Sequence, residues 1–377
     1  MKTFPIKNAS FLLPKKGIDY LKWAVVACDQ HTSNIKYWQD LEKLVADAPS
    51  TLRLILPEVY LHNDDEAARI KAIETTMLAY QKADMFDEYT GMVLIERTIS
   101  NGKVRRGILF SIDLEYYSYA IGSKPLIRAS EGTVLERIPP RVKVRERCTL
   151  DMTHVKLLYD DIDSKVLNVA LKAKADVLYD FDLNQNGGRI KGSLIKDSAE
   201  VLATFKELLD NSISNYGESL LFAVGDGNHS LAAAKAVYEN AKSKGAGESC
   251  RYALVEAVNI YEDALEFEPI HRWVKGKNVA DFKAELAQKT TSDPIAQVAT
   301  VDTLAKKHDL EIDFIHGEKH LKGLVKSSGG LAVMLKPIDK AGFFPYIVKN
   351  GVLPKKTFSM GEAEDKRYYL ETAIIQA

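Results

Sequence analysis

The sequence predicts a mixed α/β fold of the α+β class, and three of its features carry that prediction. Residues 64–84 open with acidic side chains and then repeat apolar side chains at helical spacing, which is typical of a surface helix. Two runs rich in β-branched and aromatic residues meet at Asn101-Gly102, a dipeptide that favours a hairpin because both turn positions are expected to need a positive φ. From Val155 onward, apolar runs and helical patterns alternate, as they do in α/β sheets.

The other elements follow in chain order. A helix is predicted at 35–46. Strands are predicted at 155–161, 176–183, 220–227 and 250–261, and helices at 164–174, at 197–209 and from Ser230 onward. In the last hundred residues we expect helices at 280–289 and 303–308 and strands at 331–336 and 344–348. We place soft domain limits near residues 125 and 275, which gives an N-terminal part (1–125), a central part (126–275) and a C-terminal α+β part (276–377).

The composition narrows the class of protein. The 377 residues carry a formal net charge of −1, with 46% hydrophobic and 27% charged residues. Neither sign of charge dominates, so we expect no broad attraction to nucleic acid or to an anionic membrane. Three cysteines without metal-binding spacing fit a reducing cytoplasm. No run approaches 18 apolar residues, so we expect a soluble, cytoplasmic protein whose partner is a small molecule.

The segment FAVGDGNHSLAAAKAVYE, residues 222–239, places polar and flexible residues where a predicted strand gives way to an alanine-rich helix. Gly225 and Gly227 permit unusual backbone angles and a close approach of a ligand to the main chain. Asn228 or Ser230 is expected to cap the helix, whose positive end suits a phosphate or carboxylate. The segment therefore predicts an anion site.

Two side chains of this turn can carry chemistry. Asp226 would repel a bare anion, so we predict it as a Mg²⁺ ligand or as a base, and we predict His229 as a donor to phosphate or a proton shuttle. The turn has neither the Walker A nor the Rossmann glycine pattern. Asn, Asp, Gly and Ser are also the residues of ordinary turns, so a purely connecting role stays open.

The turn resembles the Asp-Gly-His-His-Arg signature of the domain-of-unknown-function family 1015, a family of conserved proteins. IRASEGT, with Arg128 and Glu131, resembles that family's Arg-x-His-Glu-x-Thr, and PIHRW, with Arg272, resembles its Pro-Thr-His-Arg. LPKKTFSMG resembles its closing Pro-Pro-Lys-Ser-Thr stretch, and Asp29 in VVACDQHTS matches its Pro-Tyr-Asp-Val-Ile element. The matches occur in the same order and span most of the chain.

The same turn is similar to a motif of free serine kinases of the ParB/sulfiredoxin-like fold, where it lies at the nucleotide phosphates. The resemblance implies a ParB/sulfiredoxin-like segment at 126–275, framed by α/β additions. It also implies that Asp226, Gly227 and His229 line a site for ATP or ADP with Mg²⁺. This chain has Asn228 in place of the motif's first His and a serine in place of its Arg, and losing a cationic phosphate fork is not a conservative change.

The resemblance gives roles to three charged residues outside the turn. Glu131 is predicted as a general base or metal ligand, Arg128 as a phosphate clamp, and Arg272 as the cation that position 230 lacks. A kinase needs a carboxylate near the acceptor and cations around the transferred phosphoryl group. Each of the three could also be an ordinary surface charge.

Four other features receive structural interpretations. Ser33 is predicted to cap the helix 35–46, and Cys28 to be a small buried residue and not a nucleophile. His154 is interpreted as an ordinary histidine at a strand start, and the charge run 361–367 as solvent-exposed.

Together these features predict a nucleotide- and Mg²⁺-dependent phosphotransferase that acts on a small hydroxylated metabolite such as an amino acid. In that scheme the turn 225–230 holds the phosphates, Asp226 or Glu131 binds the metal or takes the hydroxyl proton, and an arginine neutralises charge. Two alternatives stay open. One is a non-catalytic regulatory protein that binds a nucleotide or phosphate ligand, which the two departures from the motif favour; the other is a nucleotide hydrolase.

Overall fold

The structure of the chain, a computed structural model, describes residues 4–32, 34–61, 63–120, 122–133, 135 and 138–375. Its strands are β1 (Ile6–Lys7), β2 (Ala9–Pro14), β3 (Val25–Val26), β4 (Phe86–Thr98), β5 (Val104–Asp113), β6 (Tyr117–Ser118), β7 (Ile127–Ala129), β8 (Leu150–Met152), β9 (Lys156–Tyr159), β10 (Ala175–Asp182), β11 (Arg189–Ile195), β12 (Phe222–Asp226), β13 (Tyr252–Asn259), β14 (Phe267–Lys275), β15 (Glu311–His316), β16 (Leu331–Val333), β17 (Phe358–Met360), β18 (Tyr368–Tyr369) and β19 (Thr372–Ile374). Its α-helices are α1 (Tyr20–Trp23), α2 (Ile35–Val45), α3 (Glu66–Lys82), α4 (Ile138–Arg145), α5 (Lys165–Lys172), α6 (Ala199–Tyr216), α7 (Asn228–Ser243), α8 (Val279–Gln288), α9 (Pro294–Lys307), α10 (Glu318–Ser328) and α11 (Lys340–Asn350).

Two compact units make up the chain. The first contains Met1–Ala129, Thr133–Leu265 and Glu362–Ala377, and the second contains Ser130–Gly132 and Glu266–Gly361. Residues 362–375 therefore belong to the same unit as residues 4–129. The three-part division at residues 125 and 275 stays a prediction.

A sheet of 13 strands forms the centre of the first unit. Its strand order is β6-β7-β12-β9-β13-β5-β4-β2-β19-β8, with β1 beside β5 and the hairpin β10–β11 beside β4. β12 is parallel to β7 and antiparallel to β9, whereas β9 is parallel to β13. The sheet is mixed, and the α+β (mixed α/β) class is confirmed.

Different apolar clusters cover the two faces of this sheet. One cluster contains Trp38, Met77 and Leu109, and the other contains Phe110 and Phe205. Leu109 and Phe110 are neighbours in β5, and successive side chains of a strand point to opposite faces. Both faces are therefore packed, which explains the near-continuous apolar runs of the central strands.

The Asn101-Gly102 hairpin is confirmed, although its turn differs from the expected one. β4 pairs with β5, and Thr98 lies opposite Val104. Of the dipeptide only Gly102 has a positive φ, +81°. A hydrogen bond from the Ile99 N–H to the carbonyl of residue 103 closes the connection. This longer connection has one left-handed residue of the dipeptide, where a two-residue turn would have two.

The two helices predicted in the first hundred residues are also confirmed. α3 occupies most of the predicted range 64–84, and α2 occupies most of 35–46. The cap of α2 is Asn34, whose side chain accepts a hydrogen bond from the N–H of Tyr37 at 3.2 Å. Ser33, the predicted cap, lies outside the described residues.

The second unit contains a four-stranded sheet in which β14 pairs with β15, β16 and β17. Helices α8 and α9 pack on it through Phe282, Val298 and Val301, which contact the cluster around Val274. Within the described residues of the chain, no helix is long and apolar enough to cross a membrane.

The strand predicted at 344–348 is wrong, because these residues belong to α11. Phe343, Phe344 and Ile347 are buried there, and their spacing is that of one helix face. A short apolar run does not distinguish a strand from a buried helix turn, which is why the pattern misled.

The interpretation of the charge run at 361–367 as solvent-exposed is wrong for its last three residues, because they are buried. Asp365, Lys366 and Arg367 are 4%, 7% and 2% exposed. The Asp365 carboxylate accepts hydrogen bonds from the N–H of Ser100 at 2.8 Å and from its hydroxyl at 2.9 Å. Arg105 donates to the carbonyl of Asp365 at 2.9 Å. These contacts bring Lys366 into the site described below.

Candidate functional site

Strand β12 passes into helix α7 through Gly227. This glycine is the N-cap of α7, and its φ of +79° is one that residues with a side chain rarely adopt. A Cβ atom here would lie 3.1 Å from Cα of Val155 and 3.2 Å from its Cγ2. The turn therefore needs glycine for two reasons, the backbone angle and the close approach to the residue before β9.

The predicted side-chain caps are wrong. Gly227 is the cap, so Asn228 and Ser230 lie inside the first turn of α7 together with the half-buried His229. Gly225 belongs to β12, and of the two glycines only Gly227 has a positive φ. The N–H groups of the first turn have no acceptor within the helix, and they give this end of α7 a partial positive charge.

The carboxylate of Asp226 lies among cations. Its Oδ2 is 3.4 Å from Nζ of Lys366, and its Oδ1 accepts a hydrogen bond from the Gly227 N–H at 3.0 Å. Burial acts to raise the pKa of this carboxyl group, but the positive charges of Lys366, Lys156 and His154 outweigh burial and hold the pKa below its usual value. Asp226 is therefore an anion at neutral pH and a weak base.

Lys156 is the most unusual member of this group. β9 lies between β12 and β13, so Lys156 is opposite Asp226 on one side and opposite Glu256 on the other. Its side chain is fully buried, and its Nζ has no hydrogen-bond partner among the described residues. Burial, reinforced by the charge of Arg105, lowers the pKa of this amine well below the usual lysine value, while the two carboxylates act in the opposite direction. A buried polar group without a partner calls for an explanation, and a ligand that pairs with it is one.

Glu256 belongs to a network of ion pairs with Arg367. Arg367 forms ion pairs with Glu256 and with Glu371, the second at 2.5 Å, and Tyr179 donates to Glu371. Burial acts to raise the pKa of Glu256, but the charges of Arg367 and then Arg105 dominate and lower the pKa to about 2. This network attaches the C-terminal segment to the sheet.

His154 connects the turn with a second group of polar side chains. Its Nε2 lies 3.0 Å from Oγ of Ser230 and 3.7 Å from Oδ2 of Asp29. Its Nδ1 lies 2.9 Å from the hydroxyl of Tyr369, and that hydroxyl donates to Sγ of Cys28 at 3.1 Å. A continuous line of hydrogen bonds thus runs from Ser230 to Cys28.

The groups at the far end of this line are neutral at physiological pH. Burial, and then the charge of Asp29, raises the pKa of the Cys28 thiol to about 11, so the thiolate that a nucleophile needs is scarce. Burial raises the pKa of Tyr369 well above its usual value. Cys28 therefore acts as a small packing residue with one hydrogen bond, in agreement with its interpretation.

A cavity of about 120 Å³ is lined by the same side chains. Cys28, His154, Ser230 and Tyr369 form its polar wall. Most of the remaining lining is apolar: Leu54, Ile55, Leu56, Leu61, Met77, Pro140, Val144, Leu150, Met152 and Ala233. The charged residues of the lining occur as two ion pairs, Glu58–Arg141 and Arg145–Asp151.

Arg128, predicted as a phosphate clamp, is engaged by protein acceptors. The guanidinium donates to Glu218 at 2.7 Å and to the carbonyls of Pro125 and Ser219 at 3.1 and 3.4 Å. The side chain is 4% exposed. We leave Arg128 out of the proposed site, and its predicted role stays a prediction.

Arg272 and Glu131 lie in the second unit, where both form hydrogen bonds to neighbouring segments of the same unit. Arg272 is fully buried, and its guanidinium contacts Asp302 at 3.0 Å and the carbonyls of Ile270 and Lys356 at 2.6 and 2.9 Å. Glu131 accepts hydrogen bonds from the N–H groups of residues 356 and 357, and burial raises the pKa of its carboxyl group. We leave both out of the proposed site for the same reason.

The residues around Asp226 do not fit a resident metal ion. Within the part of the chain that the structure describes, no three His, Cys, Asp or Glu side chains are grouped to hold one. The ammonium group of Lys366 lies 3.4 Å from the carboxylate and would repel a cation. A Mg²⁺ ion carried in by phosphates is a different case, because such an ion needs only one or two protein carboxylates.

The sequence does not single out Lys156, Lys366 or His154 as site residues, although one signal was available. Lys156 interrupts the apolar strand VKLLY, and lysine is among the residues least often buried without a partner. For Lys366 there was no local signal, because it lies within a run of charges.

The fold and this group of side chains define a mixed α/β protein with buried cations at the start of a helix. The chain belongs to the family described as "Protein of unknown function (DUF1015)", which matches residues 12–373. The resemblance inferred from the ordered motifs is confirmed.

Several solved structures are similar to this chain at low identity. A free serine kinase in complex with AMP has a TM-score of 0.38 and 10% identity, covering 71% of this chain and 92% of that chain. A mutant of the free serine kinase in complex with ADP has a TM-score of 0.40 and 9% identity at the same coverage. A conserved hypothetical protein from Pyrococcus furiosus has a TM-score of 0.34 and 10% identity, covering 70% and 90%. No curated protein matches the chain significantly.

Proposed function

We propose that this protein binds the phosphates of ATP or ADP beside Lys156, at the start of α7, and transfers a phosphoryl group to the hydroxyl of a small metabolite. The observation that carries the proposal is the amine of Lys156, which is fully buried and has no hydrogen-bond partner among the described residues. A phosphate oxygen would supply that partner and would favour the charged form of the amine.

The surroundings of Lys156 favour an anionic ligand. Lys366 and the positive end of α7 add to the charge of Lys156, and all three act within a mostly buried region where electrostatic attraction is stronger than in water. Asp226 forms an ion pair with Lys366 and lies opposite Lys156 in the sheet, so its charge acts on both amines. The resemblance of the turn to a nucleotide-site motif supports a nucleotide as the source of the phosphates.

The proposed chemistry is an in-line displacement. The bond between the terminal phosphorus of the nucleotide and its bridging oxygen breaks as the acceptor oxygen bonds to phosphorus. ATP then leaves as ADP, or ADP leaves as AMP, and the acceptor's hydroxyl proton passes to a base. Protein groups contribute mainly by positioning and by stabilising charge on the phosphoryl oxygens, which would be the part of Lys156 and Lys366. The base of this proposal is His154, within hydrogen-bond distance of Ser230 in the first turn, because the lowered pKa of Asp226 makes that carboxylate a weak base.

Mg²⁺ enters this proposal only as part of a nucleotide complex. When bound to the phosphates it would neutralise charge on the β- and γ-oxygens, with Asp226 as the carboxylate nearest to the turn.

Calorimetric titration with ATP, ADP and pyrophosphate, each with and without Mg²⁺, tests the binding step. Lys156→Met should weaken binding of all three about tenfold or more, because it removes a buried charged contact. Lys322→Met is the control for the loss of a lysine charge, since Lys322 is exposed and forms an ion pair with Glu318 on its own helix. The proposal fails if the wild-type chain binds none of the three, or if both variants bind as the wild type does.

One observation favours a second candidate, a protein that binds the nucleotide without turnover. Ser230 stands where the motif has its arginine and is hydrogen-bonded to His154, so the turn itself carries no guanidinium fork. Incubation with ATP labelled at the γ-phosphate and a panel of alcohols and hydroxylated amino acids separates the cases. Label on an acceptor supports the transferase, release of phosphate alone supports a hydrolase, and binding with neither supports the second candidate.

A further inference from the structure

We propose that the cavity beside His154 and Ser230 binds an alcohol with an apolar body, whose hydroxyl lies at the His154–Ser230 pair. The assignment of this alcohol as the phosphoryl acceptor rests on the proposed function; its binding does not. The proposal narrows the acceptor from small hydroxylated metabolites in general to those without charged groups on the part that enters the cavity.

The size of the cavity suits a small molecule. Its volume of about 120 Å³ corresponds to space for on the order of ten water-sized groups. Leucine, isoleucine, methionine and valine side chains from several separate segments form most of the wall. Apolar walls of this kind bind apolar groups, because water gains little from occupying them.

The charged residues of the lining are already paired with each other. Arg145 holds Asp151 with both of its terminal nitrogens, one at 2.7 Å, and Glu58 pairs with Arg141. The ammonium and carboxylate groups of a free amino acid would have to break these pairs to find partners, at a cost in free energy. An uncharged alcohol has no such requirement.

The polar wall is suited to one hydroxyl group. The Nδ1 atom of His154 is engaged by Tyr369 at 2.9 Å, which fixes the ring and leaves Nε2 directed to Ser230 at 3.0 Å. A serine hydroxyl and an imidazole nitrogen together offer both a donor and an acceptor, which is what an alcohol requires. Ser230 also belongs to the first turn of α7, so a hydroxyl here would lie beside the proposed phosphate site.

Methionine methyl groups make the binding measurable without any nucleotide. Met77 and Met152 line the cavity, whereas Met92 is buried in the cluster on the other face of the sheet. With ¹³C-methyl methionine, benzyl alcohol should shift the Met77 and Met152 signals saturably and leave Met92 in place. L-Serine at the same concentrations should shift none of the three.

Ala233→Leu is the variant that fills the cavity, and it should abolish the shifts. Ala236→Leu, on the same helix but outside the lining, is the matched control and should keep them. If Ala233→Leu does not fold, Leu61→Trp at a half-buried lining position replaces it. The proposal is overturned if benzyl alcohol leaves Met77 and Met152 unmoved, if L-serine shifts them equally, or if the filled variant responds as the wild type does.

The methionine-methyl test and the nucleotide titration can each fail without the other. Alcohol binding without nucleotide binding would refute the proposed function and leave the cavity assignment standing. Nucleotide binding without alcohol binding would refute the cavity assignment alone.

Discussion

Arg272 in the second unit and Lys156 in the first unit are both basic side chains without exposed surface, yet their surroundings are opposite. The guanidinium of Arg272 is satisfied by Asp302 and by main-chain carbonyls, including those of Ile270 and Lys356. The Nζ of Lys156 has no hydrogen-bond partner among the described residues. The buried guanidinium of Arg272 stabilises the fold, whereas the buried amine of Lys156 costs folding free energy, as a binding group does before its ligand arrives.

The chemistry of the two side chains matches these roles. A guanidinium is always charged and presents five donors in a fixed plane, so it suits a permanent set of acceptors. A lysine amine is a compact charge whose pKa shifts readily when it is buried, so it responds to an arriving anion. Four stability measurements follow from this contrast and from the neighbouring contacts.

The largest effect is expected for Arg272→Met. The change leaves Asp302 and the buried carbonyls without their donor, and we expect the free energy of unfolding to fall by about 3 to 5 kcal/mol. Urea denaturation measures it. Arg69→Met is the control, because Arg69 is only half-buried, with 39% of its side chain exposed, and its ion pair with Asp65 should contribute less than about 1 kcal/mol. Equal effects of the two changes would remove the framework role of Arg272.

The next effect concerns acid stability. Glu256 has a pKa of about 2 in the folded chain, below its usual value of 4.5, so its contribution is present above pH 4.5 and is lost as the pH falls toward 2. Linkage makes that contribution on the order of 3 kcal/mol. Unfolding measured between pH 5 and pH 3 should show a smaller loss for Glu256→Gln than for the wild type. Identical pH slopes would contradict the lowered pKa.

Gly227→Ala should cost about 2 kcal/mol. The new Cβ would lie 3.1 Å from Cα of Val155, and the alanine would also have to adopt a positive φ. Gly217→Ala is the matched control, because Gly217 has φ +77° with nothing within 4 Å of the added atom, so it reports the backbone cost alone. If Gly217→Ala destabilises as much in urea, the close packing of the turn contributes nothing.

Lys156→Met has the smallest expected effect on the free energy of unfolding. Unlike Arg272→Met and Gly227→Ala, it should raise this free energy. Because the folded-state pKa is lowered, the unfolded chain holds more protons below the usual lysine range, so wild-type stability should rise as the pH rises toward that range. The methionine variant should lack this slope and be more stable at pH 7 by about 1 kcal/mol or more. Denaturation at pH 7 and pH 9.5 measures both. A clear destabilisation would mean that Lys156 is a structural partner of Asp226 and Glu256.

Local features of the fold could be predicted from the sequence. The helix at 64–84, the hairpin at Asn101-Gly102, the alternation after Val155 and the family were all predictable, because periodicity and ordered motifs are local signals. The turn at residues 225–230 was also recognisable as a site candidate. None of these predictions required knowledge of which distant segments meet.

The partners of each charge were not predictable, because they come from distant parts of the chain. Lys366 reaches Asp226 from a segment 140 residues further along the chain, and Glu218 satisfies Arg128 across 90 residues. A motif shows that an arginine or a glutamate is present, but only the fold shows whether its hydrogen bonds are already made. Arg128, Glu131 and Arg272 thus looked like ligand-binding residues, whereas Lys156 looked like an irregularity in a strand.

A crystal structure of the chain with bound ADP would show whether the Lys156 amine binds phosphate. We predict a phosphate oxygen within hydrogen-bond distance of the Lys156 Nζ, beside the first turn of α7. ADP bound elsewhere, with Lys156 still without a partner, would contradict the account.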